Sequence, residues 1–194
     1  GVSHKPLVEG VRGLNYGPPV KTMRSYLEGM KAAPYTALSH EEEPPTVIAA
    51  LGPKMLELAS EMTQGAHPYF TSPEHTAMAR EKLGKDSWLC VEQKVILEKD
   101  PTKARETAKQ TAAIYKGLPN YRNNWIRMGL AEEDIDSLND KFIDTTFAWG
   151  TEAAIRERIS AHFDAGADHV CIQPVNPNGQ MTGLDWDCLE ALSN

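Results

Sequence analysis

Four short apolar runs punctuate the chain: residues 46–51 (TVIAAL), 66–70 (AHPYF), 88–98 (WLCVEQKVILE) and 168–175 (DHVCIQPV). Each is bounded by Gly, Pro or Asp and is rich in Val, Ile or aromatic residues, which predicts buried strands. Pro68 weakens the second run, because proline removes a ladder hydrogen bond. Helical spacing alternates with these runs. Met55, Leu58, Ala59 and Met62 share one face, as do Ala104, Ala108, Thr111, Ala112 and Tyr115, and then Ile155, Ile159, His162 and Phe163. Gly52-Pro53, Ser72-Pro73 and Asp100-Pro101 each place a capping residue before a proline at the first helical position. Thr151 is placed to cap a further helix, and Gly166 to end it. The pattern also predicts a helix over 20–32, a surface loop over 33–45, an insertion with short helices over about 117–140, a loop over 176–182 and a last helix over 184–193.

Strand alternating with helix is the grammar of a parallel α/β fold. No Gly-x-Gly-x-x-Gly follows a strand and no Walker lysine loop is present, so the nucleotide-binding sheets lose their usual markers. The rhythm fits a (β/α)₈ barrel, which needs eight strands and about 250 residues. With 194 residues and four predicted strands, the expectation is one domain over 1–194, an incomplete TIM barrel. The net charge of −7 argues against nucleic acid or an anionic membrane as partner. No apolar run approaches the roughly 20 residues that span a bilayer. Cys90, Cys171 and Cys188 are widely spaced and odd in number, and the first two have apolar neighbours, which suggests buried free thiols and a cytoplasmic location. No Cys-x-x-Cys or His-Glu-x-x-His points to a metal.

Three blocks carry a family likeness: residues 46–65 (TVIAALGPKMLELASEMTQG), 148–159 (AWGTEAAIRERI) and 164–173 (DAGADHVCIQ). Together, in this order, they resemble the luciferase-like superfamily and, within it, the coenzyme F420-dependent oxidoreductases. The resemblance implies that the first block holds barrel strand five, the phosphate loop and its helix, and that the last leads into strand eight. The opening Gly1–His4 is similar to the end of strand four. The implied fold is therefore a TIM barrel carrying strands five to eight, with the N-terminal strands absent. The implied activity is hydride transfer between coenzyme F420 and a small organic substrate. The alternatives are an FMN-dependent monooxygenase and a non-catalytic partial barrel. Open strand edges predict a homo-oligomer, or association with the N-terminal part of a barrel.

The candidate site residues follow. At Leu51, Gly52, Pro53 and Lys54 a glycine between strand and helix exposes backbone N–H groups to an anion, and the resemblance implies the coenzyme phosphate. Thr71 and Ser72 end the next strand, where their hydroxyls either reach the same phosphate or only cap the helix. With the opening residues likened to the end of strand four, His4 is the candidate proton donor, a role open to histidine as a residue type. His67 faces either the cofactor or the core, and Gln173 ends the last strand, where cofactor-binding competes with a bond to loop backbone. Glu92 and Gln93 interrupt an apolar strand and need buried partners. Residues 120–125 either line a substrate pocket or form a surface helix. His40, His75 and His162 read as surface or helix residues, and His169 as part of the stability face.

Overall fold

The computed structural model describes residues 1–36, 38, 42–177 and 183–193. The expectations for His40 and for most of the 176–182 loop lie outside the described residues. After a short π-helical segment, Pro6–Val11, come α1 (Pro19–Ala32), β1 (Val47–Ala49), α2 (Pro53–Met62), β2 (Gly65–His67), α3 (Pro73–Leu83) and β3 (Trp88–Ile96). Then follow α4 (Pro101–Ala112), α5 (Pro119–Arg127), α6 (Glu132–Ser137), α7 (Asp140–Thr146), β4 (Phe147–Trp149), α8 (Glu152–Asp164), β5 (His169–Pro174) and α9 (Trp186–Leu192). Local chemistry sets most of the helix starts. Asp100 accepts the Thr102 and Lys103 N–H groups, Thr151 accepts that of Ala154, and the prolines supply a helical φ at no cost in hydrogen bonds.

Every strand pairing is parallel. The sheet runs β1-β2-β3-β4, with β5 also on β3. The long strand β3 is the hub. Its even-numbered residues bond one edge, to Pro68 after β2 and to Gly150 after β4, while its odd-numbered residues bond β5 through Asp168 and Val175. β2 and β4 therefore share one edge of β3, early and late, and β5 takes the other. Close approach makes Gly65 obligatory, because a Cβ there would fall 2.3 Å from the Trp88 carbonyl oxygen.

Alternation divides the strands into two faces. Ile48, Ala66, Leu89 and Val91 pack outward against Leu56, Leu58 and Ala59 of α2 and against Ala79 and Leu83 of α3. Each fully buried leucine contributes roughly 1.5–3 kcal/mol. The other face, with Ala49, His67, Glu92, Lys94 and Gln173, turns to the barrel interior. The architecture is thus an incomplete parallel β/α barrel.

Several expectations change. A fifth strand, β4, is present; three residues between two helices give too short a pattern to read. The 66–70 strand stops at His67, because Pro68 has no N–H for the ladder, although its carbonyl still accepts from Glu92. Residues 120–125 do not form a surface helix: Tyr121, Asn124 and Trp125 are buried, and Trp125 packs edge-on to Phe70 and Phe142. His75 and His162 are core residues, whereas Phe163 is exposed, and so is Cys171, expected to be a buried thiol. His162 Nδ1 accepts the Thr76 hydroxyl at 2.8 Å, and its Nε2–H donates to Gln93 Oε1 at 2.9 Å. Gln93 in turn donates to the carbonyls of Lys94 and Thr146. One polar chain thereby ties α8, α3 and β3 together beneath the sheet.

Candidate functional site

A cleft of about 820 Å³ opens at the C-terminal ends of β1 and β2. Its lining includes Ser3, His4, Tyr16 and Val20 on one side, Ala49 to Met55 beneath, and His67, Tyr69, Asn120, Tyr121 and Arg127 opposite. Five of the predicted cofactor residues meet there: Leu51, Gly52, Pro53, Lys54 and His67, together with His4. Three do not. Thr71 and Ser72 are buried beneath the rim, and Gln173 lies across the sheet on β5.

The floor of the cleft is the turn from β1 into α2. Gly52 is the N-cap, with extended backbone and no side chain to occupy the helix end. Its carbonyl accepts the Met55 and Leu56 N–H groups. Among the described residues nothing accepts from the N–H groups of Leu51, Gly52 or Lys54. The positive end of the α2 dipole and these free donors face the cleft. His75 fixes the turn from behind, its Nε2–H donating to the Leu51 carbonyl at 2.9 Å. Burial pushes the pKa of His75 down, so the ring is a neutral prop.

Arg127, at the end of α5, was missed by sequence reading. A Cβ on Gly52 would sit 3.4 Å from its Nη2, so the guanidinium hangs over the open helix end. Among the described residues Arg127 has no carboxylate partner; its Nη2 donates to Asn124 Oδ1 at 3.2 Å. Backbone donors and a guanidinium without a carboxylate partner, gathered around one point, have the chemistry to receive an anion such as a phosphate. The signal was faint, because Arg127 sits in a mostly polar stretch and only the fold brings it beside Gly52.

His4 stacks obliquely on Tyr121, with centroids 5.4 Å apart, and its Nδ1 bonds Asn120 Oδ1 at 3.0 Å. Further in, a charged network backs the cleft wall. Lys94 Nζ donates to Glu92 Oε1 at 3.0 Å and lies 3.6 Å from the Tyr69 ring centroid. Burial pushes its ammonium pKa down to about 8 against the pull of Glu92. The other oxygen of Glu92 accepts the N–H of Phe70, whose carbonyl accepts Trp125 Nε1–H. These bonds hold Phe70 at φ 61, a left-handed backbone that costs a non-glycine residue roughly 1–2 kcal/mol. Tyr69 donates its hydroxyl to Gln173 Oε1 at 2.8 Å and so accepts from Tyr115 at 3.0 Å. Gln173 therefore bonds a side-chain network in this structure. Burial and the Tyr115 bond raise the pKa of the Tyr69 phenol, so it stays protonated.

A parallel β/α barrel with an anion cradle at the C-terminal strand ends is a class of ligand-binding folds. The sequence profile of the luciferase-like monooxygenase family matches residues 7–169, and the chain belongs to that family. No curated protein matches the chain. The fold is similar to that of the coenzyme F420-dependent tetrahydromethanopterin reductase of Methanopyrus kandleri, at TM-score 0.54 and 17% identity over 76% of this chain and 48% of that one. It is also similar to an F420-dependent secondary alcohol dehydrogenase in complex with an F420–acetone adduct, at TM-score 0.52 and 14% identity over 89% of this chain and 59% of that one. The chain thus spans about half to three-fifths of the length of these relatives. No described helix is long and apolar enough to cross a membrane, and no described cluster of His, Cys, Asp or Glu could hold a metal.

Proposed function

We propose that this chain carries the coenzyme cradle of an oxidoreductase that transfers hydride between coenzyme F420 and a small organic substrate. The observation that carries the reading is the meeting of the open α2 terminus at Gly52 with the unpaired Arg127 guanidinium, inside a cleft large enough for a tricyclic ring. The residues fit the group. The N–H groups of Leu51, Gly52 and Lys54, with Arg127, would hold its phosphate, and Ala49, Val20 and the tyrosines would flank its ring. When bound, the deazaflavin supplies a two-electron hydride carrier. The protein's own part is to hold the phosphate, exclude water behind Tyr69 and Tyr121, and move a proton near the ring, with His4 as donor. Relatives of similar fold use F420, which supports the choice of coenzyme.

FMN is the second reading, favoured by the family's monooxygenase description. The cradle accepts either phosphate, so the discrimination must come from the ring. Titrating the chain with each cofactor and following fluorescence quenching separates them. The expected result is saturable quenching of coenzyme F420 and none of FMN. Saturable FMN binding without a response to coenzyme F420 overturns the proposal.

A further inference from the structure

Strand β2 runs into a proline, which leaves a carbonyl of β3 without its backbone donor. Gly65 lies opposite Trp88 and Ala66 opposite Leu89, so position 68 falls opposite Val91. In a parallel ladder a residue there gives its N–H to the carbonyl of residue 90 and takes the N–H of residue 92 on its own carbonyl. The second bond is made, from Glu92 N–H to the Pro68 carbonyl at 3.1 Å. The first has no donor, because Pro68 has no N–H. The His67 ring fills the gap, with Nδ1 at 2.6 Å from the Cys90 carbonyl oxygen. A carbonyl oxygen only accepts, so the hydrogen sits on Nδ1. In the uncharged ring Nε2 is then a bare lone pair. His67 lines the cleft beside Ala49 and Tyr69, and among the described residues its Nε2 has no partner.

We propose that His67 is the cleft's hydrogen-bond acceptor for the hydroxyl of a largely apolar small molecule, with Pro68 and the Cys90 carbonyl as the positioning groups that keep its hydrogen on Nδ1. The inference rests on the cleft being a ligand site and is independent of which coenzyme occupies it. His67 thus joins His4 as a second group that can touch substrate.

Two measurements test it without any coenzyme. The first is a long-range ¹H–¹⁵N spectrum of ¹⁵N-histidine-labelled chain, taken where the ring is uncharged. His67 is expected as a single Nδ1–H tautomer. In Pro68→Ala the restored N–H competes for the Cys90 carbonyl, and His67 is expected to shift to a mixture of tautomers. An Nε2–H tautomer in the parent chain, or an unmoved tautomer in the variant, overturns the proposal. The second uses 4-nitrophenol as hydroxyl donor, with binding read from its absorbance. His67→Asn keeps an N–H for Cys90 but loses the acceptor at the ring tip. Binding is expected to weaken roughly tenfold, the loss of one hydrogen bond. Equal binding by parent and variant overturns the proposal. A chain that ignores coenzyme F420 yet holds 4-nitrophenol through His67 counts against the coenzyme reading alone and supports this one.

Discussion

Gly52 and Arg127 stand together in the proposed cradle, although seventy-five positions of sequence separate 52 from 127. Replacing Arg127 with Ala removes a charge-assisted contact of roughly 1.5–3 kcal/mol, so coenzyme F420 binding should weaken about 10- to 100-fold. Gly52→Val should weaken it as well, because the new side chain fills the space beneath the guanidinium. Fluorescence titration of both variants checks this, and unchanged affinity in both would place the anion elsewhere. Outside the cleft, His162 carries a large pH signature. Burial, with Arg158 nearby, lowers its pKa to about 4, against an ordinary value near 6.5. The unfolded chain then binds the extra proton between those values, so stability rises with pH across the window and is lost as pH falls through it. The upper limit of that loss is about 3 kcal/mol. Urea unfolding between pH 7 and pH 4 should show this slope, flattened in His162→Gln. The sequence could not announce His162 as a core residue. Its helix spacing sets it on one face with Ile155 and Ile159, but the polar partners that let it be buried, Thr76 of α3 and Gln93 of β3, lie far away in sequence.

At the scale of elements, local chemistry was legible and tertiary chemistry was not. Asp100-Pro101 and Thr151 act within four residues, so their helix starts could be read directly. β4 is three residues long, and its pairing with β3 is set by α7 and α8 on either side. Pro68 was legible as a break in the ladder, but its effect on His67 needed the register with β3. Glu92 was legible as a buried acid in need of a partner. The partner is Lys94, two residues on along the same face of the strand. That pair is expected to be strongly coupled. Lys94→Met leaves Glu92 buried without its cation and should cost roughly 3–5 kcal/mol in urea or thermal unfolding. A loss below about 1 kcal/mol would mean that the Glu92 charge is not confined to the barrel interior.

For the whole molecule, the parallel sheet and its outward helices form a barrel wall whose inner face is partly open. Among the described residues β1 pairs only with β2 and β5 only with β3, so each presents an unpaired edge. We propose that a second copy of this chain covers such an edge. Light scattering across a range of concentrations is expected to show a dimer; a monomer at every concentration contradicts it. The class of fold was legible because the strand–helix rhythm and the 46–65 block lie in the sequence itself. The guanidinium that completes the cradle was not, because it arrives from a distant polar helix.

In the proposed function the α2 terminus and Arg127 hold the phosphate of a deazaflavin. A crystal structure of the chain with coenzyme F420 tests it most directly. The phosphate is expected within hydrogen-bond distance of the Gly52 and Lys54 N–H groups and of Arg127, with the ring lying between His4 and His67. A phosphate bound anywhere else, with Arg127 left free, would contradict it.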